Sequence, residues 1–354
     1  MKQKLLLICA LAVSGLAAKA QDTIKVTADA PLVITGSVDA YWKADFAGNK
    51  FGAGAIPTSF ATDNNSISIG MLDLGLKKKV GKASFVGEAS FGPRSDQSIP
   101  TAGYHIQNLY ISYDLTDKLN VTGGYMATFI GYEVISPTGN FNYSTSYLFT
   151  NGPFQNAGVK FTYAFSDKVS LMAGIFNDVW NTYSSANSVS TFGAQLMLVP
   201  VKNWTVYLNT ALGSSSGNEF DLTTTYQITD AFKLGLNAAD FTAPTKASLG
   251  QSGGFDGVAL YPQYAVTKAV TLGLRGEYFT AKTGTKATAV SYTGVTPGES
   301  VTGLTFTAAI KSGPLTLIPE VRLDNASKNT MFLDSTGKPS TSAGQFLVAA
   351  VYSF

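Results

Sequence analysis

Three charged residues near the end of the chain stand at every second position. Glu320, Arg322 and Asp324 are separated by Val321 and Leu323, so they share one face of an extended strand. Two carboxylates on one face are a candidate pair for general acid–base catalysis. Because Arg322 lies between the two acids, the spacing indicates a salt-bridged polar wall rather than an acid and a base.

The sequence around the single histidine does not support nucleophilic catalysis. His105 is the only histidine, and no neighbouring Ser–His–acid spacing accompanies it, although a hydrolytic site needs a nucleophile with a general base. Beside Tyr104 at the top of a predicted strand, it is interpreted as a rim residue. The sequence also has no phosphate-loop, dinucleotide or metal-binding motif, and its single cysteine, Cys9, lies near the N-terminus. We therefore expect no catalytic residue, metal or cofactor.

The same alternation of charged and apolar residues extends along most of the chain. In the first predicted strand, Val38 and Trp42 share one face, and Asp39, Tyr41 and Lys43 share the other. Sixteen candidate strands with this pattern can be written along the sequence. One apolar and one polar face per strand is typical of a barrel with lipid outside and water inside. The sequence thus predicts an all-β fold, a single transmembrane antiparallel barrel.

The polar faces are the candidate functional surface. By alternation, eight acidic and five basic side chains point inward, and ten of the thirteen are the candidates for lining a lumen: Asp39, Lys43, Asp45, Glu88, Lys160, Lys233, Arg275, Glu277, Glu320 and Arg322. The other three are Asp114, Asp221 and Asp324. Rings of charge set the ion preference of a pore, and the small acidic excess predicts at most a weak preference for cations.

The end of the chain predicts how such a barrel closes. The last strand alternates up to its final residue, Phe354. A long apolar edge strand invites aggregation, whereas pairing with the first strand closes the wall. Aromatic residues favour membrane interfaces, and eight are predicted to point outward there: Trp42, Tyr113, Phe165, Trp204, Tyr226, Phe279, Tyr352 and Phe354.

The connections between strands predict the sidedness of the barrel. Seven tight turns, such as Thr116–Lys118 and Ser166–Lys168, alternate with eight longer segments. The longer segments are at about 47–65, 92–104, 130–155, 177–188, 213–219, 240–254, 280–300 and 325–343. Short periplasmic turns and long extracellular loops are the rule in outer-membrane barrels. The alternative all-β fold is a soluble β-sandwich, which would not require short and long connections to alternate.

The second strand changes face within itself. Ile67 and Ile69 lie on one face before Gly70, and Leu74 and Leu76 continue the apolar face on the other parity. A β-bulge inserts one residue and restores the alternation. We predict a bulge near Gly70–Asp73.

The N-terminus has the features of a secretory signal. Residues 1–20 contain Lys2 and Lys4, the apolar stretch Leu5–Leu16 and an A-x-A cleavage site at Ala18–Ala20, as signal peptides do. No later apolar run approaches the roughly 20 residues of a membrane helix. The location predicted for the mature chain is the cell outer membrane.

Removal of residues 1–20 changes the charge balance. The loss of Lys2, Lys4 and Lys19 leaves 22 Lys and Arg against 23 Asp and Glu, so no nucleic-acid partner is expected. The mature chain is predicted to have a short periplasmic segment, 21–31, followed by the barrel, 32–354.

Several local motifs are similar to those of a known family. They are GSVDAY at Gly36–Tyr41, LDLGLKKKVGKASFVG at Leu72–Gly87, FGPR at Phe91–Arg94, QNLY at Gln107–Tyr110 and GYE at Gly131–Glu133. Together they resemble the OmpL-like beta-barrel porin family of Gram-negative envelopes. The resemblance covers most of the mature chain and is strongest in its first half. It implies an outer-membrane porin and transfers no substrate.

The start of the predicted mature chain adds a smaller likeness. Gln21 and Asp22 resemble the first residues of secreted proteins of the Bacteroidota.

The longest predicted loop, 130–155, is rich in aromatic residues and follows the fifth strand, where general porins have an infolded constriction loop. Loops of this length are usually functional or disordered. Its candidates for narrowing a pore are Tyr132, Glu133, Phe141, Tyr143, Tyr147 and Phe149. Two interpretations stay open, an infolded loop that offers stacking surface to sugars and a loop packed on the barrel rim. A pairing of Glu133 with Arg94 is a further expectation.

The functional hypothesis is passive diffusion of small polar solutes or ions through a water-filled lumen narrowed by loop 130–155. The alternative is a surface adhesin or structural barrel without transport. An enzyme is the least favoured hypothesis. The expected partners are outer-membrane lipid, the permeating solutes and the barrel-assembly machinery, which reads Phe354. A homotrimer is left open.

Overall fold

A closed antiparallel β-barrel of sixteen strands makes up the computed structural model. The structure describes residues 30–48, 55–99, 104–244, 253–284, 292–329 and 331–354. The predicted signal peptide, 1–20, lies outside the described residues, as does 21–29. Parts of the predicted loops 47–65, 92–104, 240–254, 280–300 and 325–343 do so as well.

Strands are numbered in chain order, and each barrel strand pairs with its neighbours in that order. The first nine are β1 Val33–Asp45, β2 Ile67–Val80, β3 Ala83–Phe91, β4 Ile106–Asp114, β5 Leu119–Ala127, β6 Gln155–Ser166, β7 Val169–Asn177, β8 Val189–Leu198 and β9 Trp204–Gly213. The next six are β10 Gly217–Gln227, β11 Phe232–Thr242, β12 Gly254–Ala265, β13 Val270–Lys282, β14 Ser300–Ser312 and β15 Leu315–Ala326. A small hairpin, β16 Phe332–Leu333 and β17 Pro339–Ser340, precedes the last barrel strand, β18 Ser342–Ser353.

Helical structure is confined to the connections. Helix α1 is Pro93–Ser98, helix α2 is Tyr147–Asn151, and a 3₁₀ turn covers Pro137–Gly139. Among the described residues no helix is long and apolar enough to cross a membrane.

The first and last strands close the barrel. β18 pairs with β1 from Ser37 opposite Ser353 to Asp45 opposite Gln345. The final residue extends this pairing, because Gly36 N donates to Phe354 O at 3.1 Å and Phe354 N donates to Gly36 O at 3.0 Å. The closure predicted from the alternating C-terminus is confirmed.

The second strand contains the predicted bulge. β2 has two residues, Gly70 and Met71, between the partners of Val38 and Ala40, whereas β1 has only Asp39 there. Asp39 Oδ1 accepts the Met71 N–H at 2.9 Å, so the side chain satisfies a backbone group that the ladder leaves unpaired.

Two local expectations are wrong. The segment 213–219 is not a long loop, since β9 continues to Gly213 and β10 begins at Gly217. Phe279 does not point outward, because its side chain is fully buried. It shares the inward face of β13 with Arg275 and Glu277, and its ring lies 5.8 Å from that of Tyr147, measured between centroids.

The interior of the barrel is filled at the end where the longer connections lie, here called the loop end. A buried apolar cluster there joins Tyr147 to Phe241, Phe255 and Phe279 from three strands, and to Phe332 of the small hairpin. At the opposite end, the turn end, the lumen contains open cavities. The barrel is therefore packed like a protein core at one end and hollow at the other.

The alternation itself can be tested with one substitution placed on either face of β9. Leu208 lies near the middle of the strand and is 46% exposed on the outside, whereas Tyr207 lines an internal cavity. We expect Leu208→Arg to destabilise the barrel in bilayers by about 2–4 kcal/mol, the cost of arginine on the lipid face near the midplane.

Tyr207→Arg is the matched control and should fold nearly as well as the native chain. Urea titration of the barrels in lipid vesicles, followed by tryptophan fluorescence, measures both. Equal losses of unfolding free energy would show that the two faces of β9 do not separate lipid from lumen.

Candidate functional site

The connection between β5 and β6, residues 128–154, crosses the lumen and is called the inner loop. Asn142 Nδ2 donates to Thr307 Oγ1 of β14 at 2.7 Å, and Tyr143 N donates to Glu320 of β15 at 3.0 Å. In the strand order, β14 lies about half a circumference from β5 and β6. Of the two interpretations that the sequence left open, the structure shows the loop inside the barrel rather than on its rim.

Two glutamates of the far wall accept the backbone N–H groups of this loop. Glu320 accepts from Tyr143 at 3.0 Å and from Ser144 at 3.3 Å. Glu277 accepts from Tyr147 and Leu148, both at 2.9 Å. The latter groups open helix α2, where the first N–H groups have no partner within the helix. Bonds to a carboxylate are stronger than neutral ones, so these residues fasten the loop.

Two arginines bind the carbonyl groups of the same stretch. Arg275 Nη1 donates to Ser144 O at 2.6 Å and to Glu133 Oε1 at 2.9 Å. Arg322 Nη1 donates to Thr145 O at 2.8 Å. Both arginine side chains are 1% exposed, and buried charges need such partners.

The charged triplet of β15 has the predicted salt bridge. Arg322 Nε lies 2.9 Å from Asp324 Oδ1, while Asp324 Oδ2 accepts the Tyr147 hydroxyl at 2.7 Å. Glu320 instead accepts a backbone N–H group of the loop. The three charges serve as supports for the inner loop and do not form an acid–base pair.

Strand β1, which is separated from β15 by β18 alone, also holds the loop. The Tyr143 hydroxyl donates to Asp39 Oδ2. A Cβ on Gly70 would lie 1.7 Å from the same carboxylate oxygen and 2.8 Å from the Tyr143 hydroxyl. The bulged position must therefore be glycine for this contact to form.

Arg94 also contacts the inner loop, but not in the way the sequence suggested. Its Nε donates to Ile135 O at 2.8 Å and its Nη2 to Tyr143 O at 3.2 Å, and it stacks 4.5 Å from the centre of the Phe60 ring. Glu133 pairs with Arg275 across the lumen instead. The expected pairing of Glu133 with Arg94 is wrong, because Arg94 binds carbonyl groups of the loop while the Glu133 carboxylate is taken by Arg275 of β13.

The connection after β1 also lies inside the loop end. Lys43 Nζ donates to Ala61 O at 2.6 Å and to Thr62 O at 3.0 Å. Thr145 Oγ1 donates to Ser59 O at 2.6 Å, which ties this connection to the inner loop. Asp45 N donates to Asn64 Oδ1 at 2.8 Å, and both Lys43 and Asp45 are buried.

The aromatic candidates of the loop pack against the wall and against each other. Tyr132 stacks on Tyr261 with ring centroids 4.4 Å apart, and Phe149 packs on Phe154 at 5.0 Å. A Cβ on Gly273 would lie 2.3 Å from the Phe141 ring. Phe141 and Tyr132 also border open cavities, whereas Tyr143 and Tyr147 are fully buried.

The open space on one side of the inner loop is lined by lysines. A cavity of about 590 Å³ is bordered by Lys160 of β6 and Lys233 of β11. A second, of about 400 Å³, is bordered by Lys233 and by Lys311 of β14. Since both cavities share Lys233, Gln263 and Phe141, they are treated together as the lysine chamber.

The open space on the other side is lined by acids. A cavity of about 530 Å³, called the acidic chamber, contains Asp73 of β2 and Glu88 of β3 on its walls. Glu88 accepts from Asn108 Nδ2 at 2.6 Å. The 3₁₀ turn Pro137–Gly139 contacts β18 and borders both chambers, so the tip of the inner loop stands between them.

Sequence reasoning missed several residues of this site. Lys311 and Asp73 belong to the inward set of their strands, but Asp73 follows the bulge and Lys311 stands at the end of β14. Asp221, noted only as an inward charge, accepts the Gly131 N–H at 3.0 Å. No sequence signal marks that contact, since 90 residues separate the two groups.

His105 has no place in this site. Its ring lies 4.6 Å from that of Phe91, which is 42% exposed, and it borders none of the three cavities of the lumen.

The fastening of the inner loop leads to a stability prediction. Glu277→Ala removes the acceptor of two backbone N–H groups that stay buried, and we expect a loss of about 1–3 kcal/mol in unfolding free energy. The same variant should make the inner loop accessible to protease in detergent micelles. Limited proteolysis with mapping of the cut sites checks both.

Glu88→Ala is the control, since Glu88 bonds a side-chain amide and no loop backbone. It should leave the proteolysis pattern of the loop unchanged. A protected inner loop in Glu277→Ala would contradict the role given to this carboxylate.

Comparison with solved structures gives barrels of the same shape. OmpT of Vibrio cholerae superposes with a TM-score of 0.54 at 13% identity, covering 94% of this chain and 100% of that chain. An anion-selective porin from Comamonas acidovorans gives 0.60 at 14% identity, with coverages of 92% and 99%. OmpF of Salmonella typhi, in complex with daunomycin, gives 0.58 at 11% identity, with coverages of 91% and 97%. At such identities the likeness shows a shared fold.

Sequence comparison identifies the family. No curated protein matches the chain. The model of the family described as "Putative beta-barrel porin-2, OmpL-like" matches residues 31–354, which includes every strand of the barrel. The resemblance found in the local motifs is thereby confirmed, and the chain belongs to this family of outer-membrane porins.

Proposed function

We propose that the inner loop narrows the lumen of this porin, and that small polar solutes diffuse passively through the chambers beside it. The supporting observation is that the loop is fastened to three strands at once, by Asp39 of β1, Glu277 of β13 and Glu320 of β15. Swinging out would take hydrogen-bond partners away from buried carboxylates and guanidinium groups of the wall, which is costly. The loop therefore acts as a fixed restriction rather than as a moving gate.

The ten inward candidates divide into two roles under this proposal. Lys160, Lys233 and Glu88 border open chambers and face the permeating solute. The other seven are buried and hold the two infolded connections in place: Asp39, Lys43, Asp45, Arg275, Glu277, Glu320 and Arg322.

The loop candidates divide in the same way. Tyr132, Glu133 and Phe141 border the lysine chamber and are proposed to touch the solute. Tyr143, Tyr147 and Phe149 are buried and are proposed to keep the loop in shape.

Catalysis has no proposed part in this function. The family is one of porins, and four buried charged residues of the lumen are engaged in hydrogen bonds with the inner loop, namely Glu277, Glu320, Arg275 and Arg322. Adhesion without transport is the competing function, and it predicts no conductance.

Partners outside the lumen are proposed from the outer surface. The exposed aliphatic and aromatic side chains of the strands are proposed to face membrane lipid. Phe354, 67% exposed at the end of β18, is proposed to be the residue that the assembly machinery reads. One solved form of the Vibrio OmpT is a trimer, and we propose a homotrimer here, to be checked by native mass spectrometry.

The proposed restriction can be tested by removing only the tip of the inner loop. Asn140 brackets the tip through two hydrogen bonds to Val134, at 2.9 and 2.6 Å, so the ends of the segment are close. Replacing Ser136–Gly139 with two glycines should merge the lysine and acidic chambers and raise the single-channel conductance in planar bilayers severalfold. The fastened residues 142–148 stay in place in this variant.

In the control variant, the four residues 184–187 of an external connection are likewise replaced with two glycines. This variant should leave conductance unchanged. Native conductance in the tip variant would place the narrowest point of the pore elsewhere. Absence of any conductance in the native protein would contradict the porin function and favour adhesion.

A further inference from the structure

The lysine chamber has an unbalanced charge. Its three ammonium groups, on Lys160, Lys233 and Lys311, come from three separate strands. Among the residues that the structure describes, none of the three makes a hydrogen bond or an ion pair, while lysines elsewhere do, such as Lys79 with Asp114 at 2.6 Å. The positive charge of the chamber is thus available to interact with a solute.

Of the described residues that line the chamber, Glu133 alone has a carboxylate, and it does not offset these lysines. Glu133 accepts from Arg275 Nη1 at 2.9 Å, from Ser146 N at 2.8 Å and from Tyr261 at 3.2 Å. Its charge is compensated by a buried guanidinium. Asp73 and Glu88 border the acidic chamber instead, on the other side of the loop tip. A solute in the lysine chamber meets a positive wall.

The remaining lining of the chamber suits a solute with hydroxyl groups. Gln263 supplies an amide, which both donates and accepts hydrogen bonds. The Gln195 amide also borders the chamber, and its Nε2 donates to Phe129 O and Asn209 Oδ1. Tyr132 and Phe141 add ring surfaces beside them. The volume of about 590 Å³ in the larger cavity falls in the range of sites for small molecules. Ammonium groups, amides and rings together fit a hydroxylated carboxylate.

We propose that the lysine chamber is a binding site for small hydroxylated carboxylates such as sugar acids, and that the pore passes them in preference to neutral or cationic sugars. This inference rests on the porin function proposed above. It reverses the weak cation preference that the inward charges suggested, because most inward acids are paired within the wall and the loop. Lys233 is the central residue, since it borders both cavities of the chamber.

The test uses the full-length protein in planar bilayers and in liposomes. The zero-current potential across a potassium chloride gradient measures ion preference, and liposome swelling compares gluconate, glucose and glucosamine. The native pore should prefer chloride and admit gluconate fastest. The triple variant K160Q/K233Q/K311Q should lose the chloride preference and slow gluconate severalfold, with little change for glucose. K233Q alone should produce the largest single effect.

The matched control is K118Q/K202Q/K268Q, which removes three exposed lysines in the connections between strands and the same total charge. It should keep the chloride preference and the gluconate rate. A native pore that conducts without preferring anions overturns the inference and leaves the porin function standing. So does a triple variant that behaves like the control. Absence of any conductance in the native protein would instead remove the porin function itself.

Discussion

A chain segment that enters a barrel takes its backbone N–H and C=O groups away from bulk water, and each of them needs a partner there. The rest of this structure depends on how that requirement is met. Glu320 accepts the N–H groups of residues 143 and 144, and Glu277 accepts those of residues 147 and 148. Arg275 and Arg322 bind the carbonyl groups between them. Because Arg275 pairs with Glu133 and Arg322 with Asp324, charge compensation also stabilises the loop at this position.

That position also decides where open space is left. The strongest fastenings lie on β13 and β15 and on β1, so the stretch 142–148 is held against one side of the barrel. The larger cavity opens toward β6, β9 and β11 instead, where it is bordered by Lys160, Tyr207 and Lys233. The asymmetry of the lumen thus follows from the distribution of fastening residues around the wall.

Alternation along the chain was enough to predict the barrel, because lipid and lumen impose opposite demands on neighbouring residues. It also gave the closure by β18 and the bulge in β2. The alternation did not predict the contacts of side chains whose surroundings are formed by the loops. Phe279 was assigned to the membrane because aromatic residues favour interfaces, yet Tyr147 of the loop provides it with an internal partner. Likewise, Glu133 had no sequence signal to choose Arg275 over Arg94.

The same limit applies to a count of inward charges. Arg275 and Lys233 both point inward by alternation, but one is 1% exposed and paired with Glu133 while the other borders a cavity. A compensated pair a few ångströms apart has little field beyond its own surroundings, whereas an uncompensated ammonium in a low-dielectric wall acts on every passing ion. Under the anion preference proposed here, selectivity depends on the charges that have no partner in the wall or the inner loop, and the path of that loop is a tertiary property.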